Sequence, residues 1–165
     1  MNLVIIGAGG HGAVCAEAAE AAGHRVLGFV DDVQREGTVL GHPIFAGFDA
    51  VPSEVEAYFV AIGQGEARAR HVAALRAQGR RVVTLVHPSA LVSPSAKLEE
   101  GVFVGPFALV HTRAHVAEGA IVNSGAIVEH DARVGRFALL ASGIVVGPGE
   151  SVPDFEVRRP AAWQQ

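Results

Sequence analysis

Apolar positions along this chain follow two rhythms. Up to about residue 86 they come in short runs separated by helical stretches. Leu3 to Ile6 is rich in β-branched residues and suits a buried parallel strand. "GAGGHG" follows, then the alanine-rich "AVCAEAAEAA", a predicted helix stopped by Gly23. "RVLGFVDD" predicts a second strand, "HPIFAG" a short connection, and Tyr58 to Ile62 a third strand. "EARARHVAALRAQG" predicts a helix closed by Gly79, and "RVVTLV" a fourth strand. Strands alternating with helices predict a small parallel sheet covered by helices.

The second rhythm is stricter. Every sixth residue from Val92 to Val152 is Val or Leu, eleven positions in all: 92, 98, 104, 110, 116, 122, 128, 134, 140, 146 and 152. Four places later the residue is usually small, as at Ala96, Ala108, Ala114, Ala120, Ala126, Ala132 and Ala138. Ordinary strands alternate with period two and do not generate a period of six. A hexapeptide repeat does, with roughly six residues per flat face and three faces per coil of a parallel β-helix. The aliphatic residue points inward and stacks on its equivalent one coil away. The boundaries read as an α/β domain over 1–86, a repeat domain over 87–152 and a tail over 153–165. The tail breaks the rhythm at Pro153, and Phe155 and Trp163 would cover the open last coil.

Composition narrows the field. Half of the 165 residues are apolar and 18 % are charged, so the chain can bury a core. A net charge of −4 gives no reason to expect nucleic acid or an anionic membrane as partner. No apolar run approaches the ~20 residues that insertion into a bilayer needs. The first ten residues lack the basic start and long apolar core of a secretion signal, so cytoplasmic residence is expected. Cys15 is the only cysteine, which excludes an internal disulfide and an all-cysteine metal site. The flat sides of so short a solenoid need neighbours, which predicts a homotrimer.

Two stretches carry candidate chemistry. Gly7, Gly9 and Gly12 form a G-x-G-x-x-G between a predicted strand and helix, and Asp31–Asp32 close the next strand about twenty residues on. Such glycines let backbone N–H groups approach a phosphate at a helix N-terminus. NAD is the first ligand that motif suggests, but one βαβ unit is not a full dinucleotide fold. His11 inside the loop is unusual for such binders and would sit at the ligand mouth. The other stretch is "VNSGAIVEHD", where His130 stands between two acids. His111, His115 and His130 are potential zinc ligands in a β-helix, but 111 and 115 occupy different places in their repeat units. No metal is expected. Arginines in "RARHVAALRAQGRR" read as a solvated helix face.

"GAGGHG", "GFVDD", "FVAIG", "HPSALVSPSA" and "VNSGAIVEHD", in that order, resemble the bacterial sugar O-/N-acetyltransferases of the PglD/NeuD type. The resemblance spans residues 2 to about 137. It implies a Rossmann-like N-terminal domain binding a UDP- or other nucleotide-linked amino sugar, and a left-handed β-helix that trimerises. Acetyl-CoA would bind between subunits. His130 would be the general base and Asp131 its orienter. Gly7, Gly9, Gly10, His11 and Gly12 would lie along the nucleotide sugar, with Asp31 and Asp32 at its base or ribose. Asn123 falls in the acceptor-side motif, and Gly143 would offer an oxyanion N–H on the cofactor side. An imidazole titrating near ~6.5 can accept the proton an attacking amine loses. Two departures stand out. Leu139 replaces a second histidine, and only about 35 residues follow His130, which predicts a shortened acetyl-CoA groove. The alternative is a non-catalytic homologue that binds a nucleotide sugar only.

Overall fold

The computed structural model describes residues 1–163. Contacts divide the chain into two compact units, the first spanning Met1–Val83 and the second beginning at Thr84.

The first unit is an α/β sheet. Strands β1 (Asn2–Ile6), β2 (Arg25–Val30) and β5 (Ala57–Val60) lie parallel with β1 between the other two. Helix α1 (Gly10–Ala21) follows β1, and α2 (Gly65–Ala77) follows β5. Leu3, Ile5, Phe29 and Phe59 are fully buried, each contributing roughly 1.5–3 kcal/mol by leaving water. The segment expected to be a short connection is a strand. β4 (His42–Phe45) adds to β2 in parallel, Phe29 opposite Ile44, and β3 (Thr38–Val39) pairs antiparallel outside it. Ile44 is buried while Pro43 is exposed, the alternation of a strand with one covered face.

The second unit is a parallel β-helix. Its two-residue strands stack into three sheets whose partners are eighteen residues apart, as in Leu91, Leu109, Ile127 and Val145. The predicted aliphatic series points inward: Val104, Val110, Val116, Val122, Val128 and Leu140 are fully buried. The small residues Ala108, Ala114, Ala120, Ala126, Ala132 and Ala138 fill the inside corners at 0–1 % exposure. The residue preceding each aliphatic points out, and the three faces differ there. One carries Leu91, Leu109, Ile127 and Val145, with Leu91 and Val145 66 % and 56 % exposed. The next carries Lys97, His115, Arg133 and Ser151. The third carries Leu85, Phe103, Ile121, Leu139 and Val157.

A second six-residue beat governs the corners. Residues 101, 107, 113, 119, 125, 131, 137, 143, 149 and 155 all have φ between 55° and 73°. Only glycine adopts this left-handed backbone without strain, yet five of these positions carry Phe, Arg or Asp. Seven of their N–H groups bond to a carbonyl of the coil before, as in Asp131 to that of Thr112 (3.1 Å) and Gly149 to that of His130 (3.0 Å).

Both ends of the repeat differ from the boundaries read in the sequence. "RVVTLV" is not a fourth strand of the first sheet: Val82 makes only an isolated bridge to Tyr58, and Leu85–Val86 pair with Phe103–Val104 as the first rung of the β-helix. The division falls at 83/84 rather than 86/87. Nor does the repeat stop at Val152, because Val157–Arg158 pair in parallel with Leu139–Leu140. Phe155 takes a corner and stacks on Phe137 (centroids 5.7 Å apart, 19° between planes). The hexad position here is Arg158, bonded to Glu156 Oε1 (2.8 Å) and Glu150. Trp163, expected to cover the last coil, is 56 % exposed.

Candidate active site

The glycine loop is built by close approach. A Cβ on Gly12 would stand 2.1 Å from the Gly7 carbonyl oxygen, so only glycine lets α1 start where it does. Gly9 caps the helix without a side-chain bond, and a Cβ on Gly9 or Gly10 would meet nothing within 4 Å. These exposed backbone positions begin a twelve-residue helix whose N-terminus favours an anion.

A cavity of about 510 Å³ lies beside this loop, lined by Gly7, Asp32, Val33, Gln64, Arg70 and His71 among others. Asp31 also lines it, and its carboxylate accepts three backbone N–H groups. Oδ2 accepts the Ala8 N–H (2.8 Å), and Oδ1 accepts those of Val33 and Gln34 (2.9 Å each). Burial pushes the Asp31 carboxyl up, but the three amides outweigh it and hold it below its ordinary value. Asp31 thereby clamps the glycine loop to the turn after β2 while remaining part of the cavity wall. Asp32 is 76 % exposed and its Oδ2 lies 3.1 Å from His71 Nε2.

His11 is not at the mouth of that cavity. Its ring is half-buried, with Nε2 3.5 Å from Cys15 Sγ, one helical turn on. Burial, then the Arg68 charge, lower its pKa to about 4. Arg68 is fully buried and donates to the carbonyls of Ile62 (2.5 Å) and Gly63 (2.9 Å), pinning the loop between β5 and α2. This departs from the solvated face that the arginine-rich pattern of the helix predicts. A period-3.6 count places Arg68 with the buried Val72 and Leu75, the signal that was available.

The second constellation sits on one corner of the β-helix, where the apolar outer face meets the polar one. Each coil contributes one turn: Ser93–Ser95, then His111–Arg113, then Glu129–Asp131, then Gly147–Gly149. His130 Nδ1 lies 2.8 Å from Asp131 Oδ2, with the imidazole 48 % and the carboxylate 43 % exposed. An ionised carboxylate only accepts, so Nδ1 carries the hydrogen and Nε2 of the neutral ring keeps the lone pair. Neighbouring residues of an extended chain project to opposite sides. The left-handed turn at Asp131 (φ 62°) brings these two together.

Arg113, one coil earlier, donates to both carboxylate oxygens of Asp131, Nε to Oδ1 at 2.7 Å and Nη2 to Oδ2 at 2.8 Å. Arg113, then His130, hold the Asp131 carboxyl well below the usual carboxylate range. Arg113 was missed in the sequence. The signal was its eighteen-residue separation from Asp131, one full coil. The His111 ring lies edge-on to His130 at 6.3 Å between centroids, and its Nδ1 accepts the Thr112 N–H at 2.8 Å.

Asn123 occupies the other corner flanking the apolar face, with Oδ1 accepting the Ser124 N–H (2.9 Å). Gly143 takes the left-handed corner position (φ 73°), which accounts for its being glycine. Its N–H is bonded to the Ser124 carbonyl (3.0 Å), so the oxyanion contact expected of it would require breaking that bond. His115 is on the polar face, bonded to Glu99 Oε1 at 2.7 Å. Among the described residues no group of three or more His, Cys, Asp or Glu could hold a metal ion, and no helix is long and apolar enough to cross a membrane.

An imidazole–carboxylate pair on a hexapeptide β-helix, in a chain that starts with a glycine-looped α/β unit, is the arrangement that the resemblance to sugar acyltransferases implies. Residues 2–75 match the family model of the PglD N-terminal domain. A histidine mutant of GDP-perosamine N-acetyltransferase from Caulobacter crescentus, in complex with CoA and GDP-perosamine, superposes with a TM-score of 0.80 at 32 % identity. The match covers 95 % of this chain and 85 % of that one. The acetyltransferase domain of PglB from Neisseria gonorrhoeae gives 0.71 at 28 % identity, over 98 % of this chain and 94 % of that one. Its complex with acetyl coenzyme A gives 0.63 at 26 %, over 93 % and 85 %. The chain belongs to the PglD/NeuD-type sugar acetyltransferases, enzymes that use acetyl-CoA.

Proposed function

We propose that this enzyme acetylates the amino group of a nucleotide-linked sugar, with His130 as general base. One observation carries the reading: a half-exposed imidazole whose Nδ1 is fixed by a carboxylate, at the edge of an apolar face. The donor supplies an acetyl thioester. His130 Nε2 takes the proton from the sugar nitrogen as it bonds to the thioester carbonyl carbon. The C–S bond then breaks, and the imidazolium returns the proton to the departing thiolate. Asp131 fixes the ring and stabilises its charged form.

In the first unit, Gly7, Asp32, Arg70 and His71 surround the cavity, and Gly9 and Gly10 open the N-terminus of α1. They are the proposed contacts for the nucleotide diphosphate and its ribose. Gly12 and Asp31 shape the loop, with His11 packed behind it. Asn123 and Gly143 are assigned to the acceptor and donor sides, Gly143 as part of the corner wall, since its N–H is bonded to the Ser124 carbonyl. The GDP-perosamine held by the Caulobacter relative supports an amino sugar as acceptor. The apolar face of Leu91, Leu109, Ile127 and Val145 supports a homotrimer whose neighbour borders the His130 corner. Cys15, free and buried, suits the reducing cytoplasm. The reading with a lost cofactor groove is not favoured, because the coil continues through Arg158.

The test is CoA release followed with a thiol reagent. Acetyl-CoA and a GDP- or UDP-linked amino sugar turn over with the wild type and not with His130→Ala. Undiminished turnover by His130→Ala would remove the base assignment.

A further inference from the structure

We propose that Arg113 is a positioning residue for acetyl transfer, holding the Asp131 carboxylate so that it orients His130 while cancelling its charge. The proposal rests on His130 being the base.

The geometry carries it. Arg113 and Asp131 occupy the same left-handed corner position on consecutive coils, φ 57° and 62°. The guanidinium meets the carboxylate with two parallel bonds, 2.7 and 2.8 Å, the fork geometry that fixes a carboxylate in both position and plane. Oδ2 then receives two donors, Arg113 Nη2 and His130 Nδ1. Arg113 is itself seated from the coil before, its N–H donating to Ser95 Oγ at 3.2 Å. Ser95, Arg113 and Asp131 thus form a column, each eighteen residues from the next, ending at the imidazole. An aspartate alone at an exposed corner would sample several rotamers, and few would meet the histidine.

The second consequence is electrostatic. A bare carboxylate beside an imidazole favours the protonated ring, which cannot act as a base. A cation clamped to the same carboxylate offsets that bias while leaving the hydrogen bond in place. The other titratable groups about the pair are His111 on the coil before, Glu129 on the same turn and Glu150 on the coil after. Glu150 accepts from the Gly147 N–H (2.7 Å) and is paired with Arg158, which offsets its charge.

The decisive variant is Arg113→Gly. Glycine already fills this corner position at 119, 125, 143 and 149, so the coil accommodates it. We expect kcat to fall about 10- to 100-fold, the scale of a misoriented catalytic group, with KM for both substrates nearly unchanged. The acidic limb of the kcat–pH profile moves up by on the order of one pH unit, because the uncompensated Asp131 charge now favours imidazolium. Arg113→Lys restores the limb but only part of kcat, since an ammonium supplies the charge without the fork. A wild-type kcat in Arg113→Gly overturns the proposal. So does a lower kcat with an unmoved limb, which marks a merely structural role, and so does an Arg113→Lys limb no different from that of Arg113→Gly. Activity in His130→Ala would instead sink the base assignment on which the proposal stands, so the two failures are told apart.

Discussion

Asp131→Gly takes a carboxylate from a backbone position that favours glycine, and so separates what the corner needs for folding from what it needs for chemistry. At φ 62° a residue with a Cβ sits in left-handed backbone, which costs roughly 1–2 kcal/mol, with aspartate among the better tolerated. Glycine removes that cost but returns about 0.4–1 kcal/mol through the freedom it adds to the unfolded chain. The exposed contact with Arg113 is lost as well. These changes nearly cancel. For a chain of this length about 1 kcal/mol moves Tm by 2–4 °C, so the melting temperature stays within about 3 °C of wild type. Turnover does not survive as well. With no acceptor for its Nδ1 hydrogen the His130 ring loses both tautomer and direction, and kcat falls about 10- to 100-fold. Thermal scans at fixed protein concentration and CoA release on the same samples read the two effects. A drop in Tm beyond about 5 °C refutes the backbone reasoning. An unchanged kcat refutes the role of the carboxylate.

Leu140→Ala, in the fully buried inner column, costs about 2–5 kcal/mol by transfer and cavity, read from denaturant unfolding of the second unit. Leu109→Asp on the apolar outer face is expected to convert the proposed homotrimer to monomer, read in sedimentation experiments. Asp31→Asn flattens the acid limb of stability. The depressed Asp31 carboxyl contributes stability that is present above its unfolded value and lost as pH falls below about 4, so wild type weakens there and the variant, weaker at neutrality, changes less. Cys15 is fully buried and its thiol is pushed up by burial, against a smaller opposing effect of Arg68. The native protein therefore leaves a thiol reagent untouched and reacts only in denaturant.

The inner column was legible in the sequence because a stacked aliphatic every six residues has no competing explanation. Its ends were not. Val86 is in phase with Val92, but it follows Val82 and Val83 in one apolar run, and the run reads as a single strand. At the other end Arg158 occupies an aliphatic place, where ion pairs with Glu150 and Glu156 replace packing. Pairwise chemistry fared unevenly. His130 and Asp131 are adjacent in the chain and could be read together. The clamp on Asp31 comes from the amides of Ala8, Val33 and Gln34, and main-chain donors leave no trace in side-chain identity. Gly143 illustrates the converse: its glycine is explained by backbone conformation, which a motif cannot distinguish from a catalytic requirement.

The winding itself restricts how such a protein can change length. Eighteen residues return the chain to the same edge of the prism, so whole-coil insertions or deletions leave Ser95, Arg113 and Asp131 in vertical alignment or add a storey between them. Losing six residues keeps every interior contact type satisfied yet turns all downstream side chains by one face, sending the imidazole to an edge without its guanidinium. Relatives that differ in height should therefore differ by multiples of a full revolution between these residues, while shorter changes gather in loops or beyond the last rung.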